Sequence, residues 1–262
     1  MTKVVLSIAK KEFLDNIRNY WILGFSLLFL VITLLGSYFG SILVGWQDLE
    51  GTIETIENTV VRFFIPIIGL MLGYASIVGE IERGSMSSLL SLPVTRDEVI
   101  LGKFLGLGSV ICSTILIGFG IAGIVIAANV PSPNYGAYLI FIGTSMLLGL
   151  GFLSISMLLS SIFKSRAAAM GGAIFTWVFF SIIWTFLIVG IAFYLMSDGS
   201  KPNMDLFYSI QLINPITAHS LIENTNIPHN VVVSYEHATL SLLLWTIVPL
   251  LTATWIFRRK EI

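Results

Sequence analysis

Long apolar runs separated by short charged clusters make up this chain. A helix crossing the hydrocarbon core takes about 20 residues at roughly 1.5 Å each, and charge-free stretches of that length predict six spans. The first runs from about Tyr20 to Val44, and the second from about Phe63 to Val78, with Pro66 as a kink point and an outward extension past Arg62 through Val60 and Val61. Between Lys103 and Lys164 there is no Asp, Glu, Lys or Arg, a stretch too long for one helix. The "NVPSPN" of Asn129 to Asn134 therefore predicts a hairpin between a third span, about Phe104 to Ala128, and a fourth, about Tyr135 to Phe163. The fifth runs from about Ala167 to Met196 and the sixth from about Ala238 to Phe257.

Composition agrees with the pattern: 56% of residues are hydrophobic and only 11% charged, with a mean hydropathy of +0.91. These values indicate an all-α polytopic membrane protein, read as a single transmembrane domain over residues 1–262. The first apolar run begins only after "KKEFLDNIR" and outlasts a signal-peptide core, so the N-terminus reads as retained. Residues 3–18 read instead as an amphipathic elbow helix along the membrane surface. Leu6, Ala9, Phe13 and Ile17 share its apolar face, and Ser7, Lys11 and Arg18 the opposite one.

Basic residues are retained on the cytoplasmic side. With six spans both termini share a side, which holds Lys3, Lys10, Lys11, Arg18, Arg83, Arg96, Lys103, Lys164, Arg166, Arg258, Arg259 and Lys260. The other side holds only Arg62 and Lys201. The split predicts a multi-pass plasma-membrane protein with both termini in the cytoplasm. Outside would lie an acidic loop from Gly45 to Asn58, the hairpin, and a segment over residues 197–237.

The search for chemistry is mostly negative. No phosphate-binding GxxxxGK[ST] loop and no HExxH occurs, and the lone Cys112 excludes an intrachain disulfide or a Cys-rich metal site. His219, His229 and His237 share no metal-ligand spacing and read as solvated loop residues. No charge falls within the predicted spans, which disfavours a proton relay, an ion-coupled transporter or a voltage sensor. Catalytic, cofactor-binding and metal residues are thus expected to be none, and nucleic acid is not an expected partner. Small residues recur at Gly69 and Gly73 and at Gly102 and Gly106, spacing that suits close helix packing.

One polar interruption stands out, "GEIERGSMSSLLSLPVTRDEVILGK", Gly79 to Lys103. Gly84 permits a sharp turn. Met86, Leu89 and Leu90 then fall on one side of a short helix, with Ser85, Ser87, Ser88 and Ser91 around the rest, and Pro93 ends it. Thr95 and Glu98 form the capping box of the next helix. The reading is a short amphipathic helix held crosswise beneath the membrane, its apolar stripe free.

That stretch resembles the membrane subunits of type-two ABC exporters, and among them the NosY-like permeases. An acidic residue, Gly with a small residue, Leu-Leu, Pro, a polar turn and a Lys at the next span follow that family's pattern. The "IAKKEFLDNIRN" elbow, the "LINP" of Leu212 to Pro215 and the six-span spacing carry the resemblance over the whole chain. It implies a non-enzymatic half-transporter working with a second copy of itself or a related permease. An ABC ATP-binding subunit would bind ATP and Mg and drive movement of substrate. It also implies that Glu80, Glu82, Arg83, Gly84, Met86, Leu89, Leu90 and Pro93 form the coupling surface for that subunit. Two other readings stay open: a mechanical transmitter or membrane anchor acting on an external accessory protein, and, less favoured, an intramembrane enzyme.

Overall fold

The structure is a computed structural model and describes residues 2–43, 49–129, 134–197, 204–223 and 233–260. The expected hairpin tip (130–133), Lys201 and His229 lie outside the described residues. The chain begins with α1 (Thr2–Ile17), α2 (Tyr20–Leu43) and α3 (Leu49–Ile56). A π-helical turn, Glu57–Val61, joins α3 to α4 (Arg62–Gly73), which is followed by α5 (Val78–Glu82) and α6 (Ser85–Leu90). Next come α7 (Arg96–Asn129), α8 (Tyr135–Ile162) and α9 (Arg166–Val178). A second π-helical turn, Phe179–Ile183, leads into α10 (Trp184–Ser197), and α11 (Met204–Gln211), α12 (Pro215–Glu223) and α13 (Tyr235–Arg259) complete the fold.

Six helical rods are long and apolar enough to cross a membrane: Tyr20–Phe39, Ile53–Glu82, Arg96–Ala128, Tyr135–Ile162, Arg166–Tyr194 and Tyr235–Arg259. The second extends well beyond Val60 to Val78. The stretch expected as an acidic loop is helical from Leu49 onward, because Ile53, Ile56 and Val60 turn inward at helical spacing. Charge marks where the bilayer ends and does not by itself end a helix.

The bundle is organised around α8, whose Phe141, Leu148, Phe152, Leu153 and Met157 are fully buried. It packs against α4, α7, α9, α12 and α13. Missing side chains set the closest approaches. A methyl group at Gly69 would sit 2.8 Å from the Gly149 carbonyl oxygen on α8, and one at Gly73 would sit 2.7 Å from Ser156 Cβ. The same spacing at Gly102 and Gly106 receives α1, where added methyls would meet Ile8 Cβ at 2.7 Å and the Ala9 carbonyl oxygen at 2.6 Å. Small residues at these positions let the backbones approach closely enough for dense dispersion contact.

The elbow therefore differs from its expected form. Ile8 and Glu12 are buried against α7, while Leu6 is 63% exposed and Ile17 is also exposed. The face carrying Leu6 and Ile17 is outward, and the protein-facing stripe is centred on Ile8 and Glu12. The spans with least internal cover are the fifth, exposing Phe175, Phe186, Val189 and Phe193, and the first, exposing Leu27, Val31 and Leu35.

Candidate functional site

The segment from Gly79 to Lys103 lies at the end of the bundle that carries both chain termini. Its backbone is set from α8, where the buried Ser160 hydroxyl accepts from Ile77 N and Val78 N, both at 3.0 Å, as α5 begins. Gly84 then adopts φ +73°, the one left-handed glycine among the described residues, and breaks α5 from α6. The expected capping box is present: Thr95 N donates to Glu98 Oε2 at 2.9 Å and Glu98 N donates to Thr95 Oγ1 at 3.3 Å.

The apolar stripe is not free. Met86 is completely buried, and Leu89 and Leu90 are half-buried against the core. They root α6 in the bundle, since a six-residue helix has too little hydrogen bonding to stand alone. Gly84 and Pro93 are exposed, with Ser87, Ser88 and Ser91 between them and Leu92 56% exposed. Arg83 is exposed, and its Nε donates to the Gly79 carbonyl at 2.9 Å. Glu82 Oε1 accepts from Arg166 N at 2.8 Å, a carboxylate on the first turn of α9 where the helix dipole favours it.

Glu80 turns inward. It meets Lys103 Nζ at 2.7 Å, and Glu12 of α1 meets the same ammonium at 2.8 Å. The Lys103 side chain is 1% exposed. One cation thus pins the elbow, α5 and the first turns of α7 together. Two carboxylates on one ammonium use two of its three donors and leave the trio with an excess negative charge. Neither Glu12 nor the burial of Lys103 was foreseen from sequence. The Gly102 and Gly106 spacing beside Lys103 was the available signal, because a partner helix close enough to need those glycines also covers the lysine.

The C-terminus is tied into the same layer. Arg96 Nη1 donates to the carbonyls of Phe257 (2.7 Å) and Lys260 (2.5 Å) where α13 ends. Arg258 pairs with Asp97. Lys260 Nζ caps the end of α8 through Ser161 O (2.8 Å) and Phe163 O (3.0 Å). Burial, and then the nearby charge of Lys164, lower the Lys260 pKa from its ordinary value.

A second polar group lies at the opposite end. His219, expected to be solvated, is fully buried on α12. Its Nδ1 lies 3.2 Å from Glu57 Oε1, and its Nε2 lies 3.2 Å from both Thr144 Oγ1 and Ser145 Oγ. Glu57, expected in a solvated outside loop, is itself buried in the rod that forms the second span. His237 contributes to the cap of α13, accepting from Ser234 N at 3.2 Å. Among the described residues no cluster of three His, Cys, Asp or Glu could hold a metal ion. In the "LINP" stretch, Asn214 Nδ2 donates to the Phe180 carbonyl at 2.8 Å, supporting a backbone that the π-turn pulls out of regular α-helical register.

A family described as "ABC-2 family transporter protein" matches residues 6–262. Two curated relatives, both called "Probable ABC transporter permease protein NosY", are similar to this chain. The one from Pseudomonas aeruginosa is 34% identical over 277 residues, covering 99% of each chain. The one from Stutzerimonas stutzeri is 34% identical over 275 residues, covering 98% of each. With six apolar spans and matches running nearly end to end, the chain belongs to the ABC-2 transporter family, as a multi-pass membrane permease subunit of an ABC transporter.

Proposed function

We propose that the segment from Gly79 to Lys103 docks on a separate ABC ATP-binding subunit and carries its stroke into the spans, driving substrate outward. The observation that carries this reading is α6: a short helix set between Gly84 and Pro93, rooted by Met86, with Leu92 turned out. In this reading ATP and Mg are bound by the partner, and this chain does no bond chemistry. The basic end, with both termini, is cytoplasmic. A second copy or a related permease covers the exposed apolar faces of the first and fifth spans.

The coupling residues divide by task. Glu82, Arg83, Gly84 and Pro93 lie on the docking face with Ser87, Ser88 and Leu92. Met86, Leu89 and Leu90 hold the helix to the bundle, and Glu80 passes its displacement to Lys103 and Glu12. An exposed apolar residue flanked by charges suits a groove on a protein partner, the charges fixing orientation.

The experiment is recovery of the ATP-binding subunit on a tagged permease. Leu92→Glu places a carboxylate in the docked groove at a cost of about 1–3 kcal/mol, roughly a fivefold to 150-fold loss of association, with insertion and abundance unchanged. Leu90 is a poorer probe because it also belongs to the root. Full recovery with Leu92→Glu, or specific ATP binding by the permease alone, would remove this reading.

A further inference from the structure

Arg62 stands inside the second span, where a guanidinium needs partners. Its one side-chain hydrogen bond among the described residues runs from Nη2 to Thr185 Oγ1 on α10, and no carboxylate among them pairs with it. Glu57, the acid nearest in sequence, is engaged by His219. A guanidinium has five N–H donors, so most of its capacity is unspent. It lines a cleft of about 320 Å³ shared with Asn58, Phe63, Ser181, Ile182 and Phe186.

The second observation is Ser181. It is 3% exposed, lines the same cleft, and its hydroxyl has no partner among the described residues. Thr185 Oγ1 donates to the Ser181 carbonyl, so its proton is spent and it can only accept from Arg62. The Asn58 amide donates to Glu54 O at 3.1 Å, which leaves its second N–H. Each wall of the cleft begins on a π-helical turn, Glu57–Val61 with Asn58 and Phe179–Ile183 with Ser181 and Ile182, and continues into the first turn of the helix that follows. Such turns re-aim side chains and recur at functional sites.

Unspent donors gathered around a cation that no carboxylate among the described residues pairs with suit an oxyanion. We propose that this cleft binds an oxyanion of the phosphate class through Arg62, Ser181 and Asn58, supplied by the headgroup of an acidic phospholipid. Depth favours the lipid source. The rod over residues 53–82, turned at 74–77, is at most about 45 Å long, so centred on a hydrocarbon layer of about 30 Å it would overhang by up to roughly 7 Å at each end. Arg62 lies about 14 Å from Ile53, several ångström below the headgroup boundary and within snorkelling reach of it. Phe63, Ile182 and Phe186 supply apolar wall for the start of an acyl chain. The site does not depend on docking of an ATP-binding subunit, and the chain alone suffices to test it.

The test is native mass spectrometry of the delipidated full chain titrated with phosphatidylglycerol, with a neutral phosphate-free galactolipid, and with inorganic phosphate. The wild type retains phosphatidylglycerol and not the galactolipid. Arg62→Gln weakens retention roughly tenfold or more, as expected for loss of charge-assisted hydrogen bonds, and Ser181→Ala weakens it severalfold with the cation intact. Arg259→Gln, at the other end of the bundle, leaves it unchanged. Arg62-dependent binding of inorganic phosphate without lipid retention supports the site and assigns it to a free anion. Equal retention of galactolipid and phosphatidylglycerol, or wild-type retention by Arg62→Gln, overturns the proposal. Should Arg62→Gln fail to give monodisperse protein, Arg62→Lys keeps the charge without the fork, and wild-type retention by both Arg62→Lys and Ser181→Ala overturns it equally.

Discussion

Replacing Lys103 by Met removes the cation that Glu12 and Glu80 share and leaves two carboxylates facing each other in a site whose side chains are 11% and 13% exposed. Breaking a buried pair by deleting one partner costs about 3–5 kcal/mol, because the remaining charge stays desolvated. Here two like charges remain. The reverse changes are milder: Glu12→Gln or Glu80→Gln leaves Lys103 one full partner at about 2.8 Å and removes the excess negative charge. The variant carrying Glu12→Gln, Lys103→Met and Glu80→Gln together takes all three charges away and is expected to recover most of the loss, as neutral replacements of buried ion pairs often do. Thermal unfolding of the purified permease in detergent ranks the four variants. The expected order is wild type, then either glutamine variant, then the triple variant close to these, with Lys103→Met well below all of them. Wild-type stability for Lys103→Met, or equal damage from Glu80→Gln and Lys103→Met, would refute the reasoning.

Three further outcomes follow from the geometry. Gly106→Val puts Cβ 2.6 Å from the Ala9 carbonyl oxygen, so it should lift α1 off α7 at about 1–3 kcal/mol and speed proteolytic release of the N-terminal helix. Asn214→Ala strands the Phe180 carbonyl and the Ile216 amide it serves, at about 1–3 kcal/mol; an unchanged unfolding temperature would count against that account. In a Cys112→Ala background, Met204→Cys should react with an impermeant thiol reagent in intact cells and Ser88→Cys only after permeabilisation. The opposite pattern would invert the proposed orientation.

Features written within one or two turns of sequence were legible. The Thr95 and Glu98 box, the turn at Gly84 and the spacing of Gly102 and Gly106 depend on local backbone geometry, and each takes its expected form. Features that depend on which helix lies opposite were not. Lys103 and Glu12 are 91 residues apart, and His219 and Glu57 are 162 apart. Nothing in helical period says that these meet, so basic and acidic residues beside the spans read as solvated flanks. Met86 shows the same limit from the other side. Its spacing correctly grouped it with Leu89 and Leu90, but an apolar stripe is equally suited to a partner protein and to the bundle's own core, and here the core takes it. The outer end was hidden for a further reason: π-turns shift side-chain register by one residue, so a reading at 3.6 residues per turn misplaces everything beyond them.

The two polar ends are joined by an unusually direct connection. The rod from α3 through α5 meets α8 at successive levels: Ser160 holds the amides of Ile77 and Val78, and Ser156 Oγ donates to the Leu70 carbonyl at 2.6 Å. Gly73 and Gly69 then bring the two backbones into contact, and farther along Thr144 and Ser145 reach Glu57 through His219. Close-packed helices locked at that many heights resist bending and sliding, because each contact would have to break at once. In the proposed coupling, a displacement of α5 and α6 would be carried by this pair as a body to the Glu57 and His219 end. The α9 to α10 rod is tied to the pair more sparsely, by Glu82 to Arg166 N at one end, Trp177 Nε1 to the Phe63 carbonyl at 3.2 Å midway, and Arg62 to Thr185 beyond. Few of its residues are buried in the bundle, and Phe175, Phe186 and Phe193 are exposed. Relative motion along that seam breaks only these few polar ties, and Arg62 and its cleft lie on it.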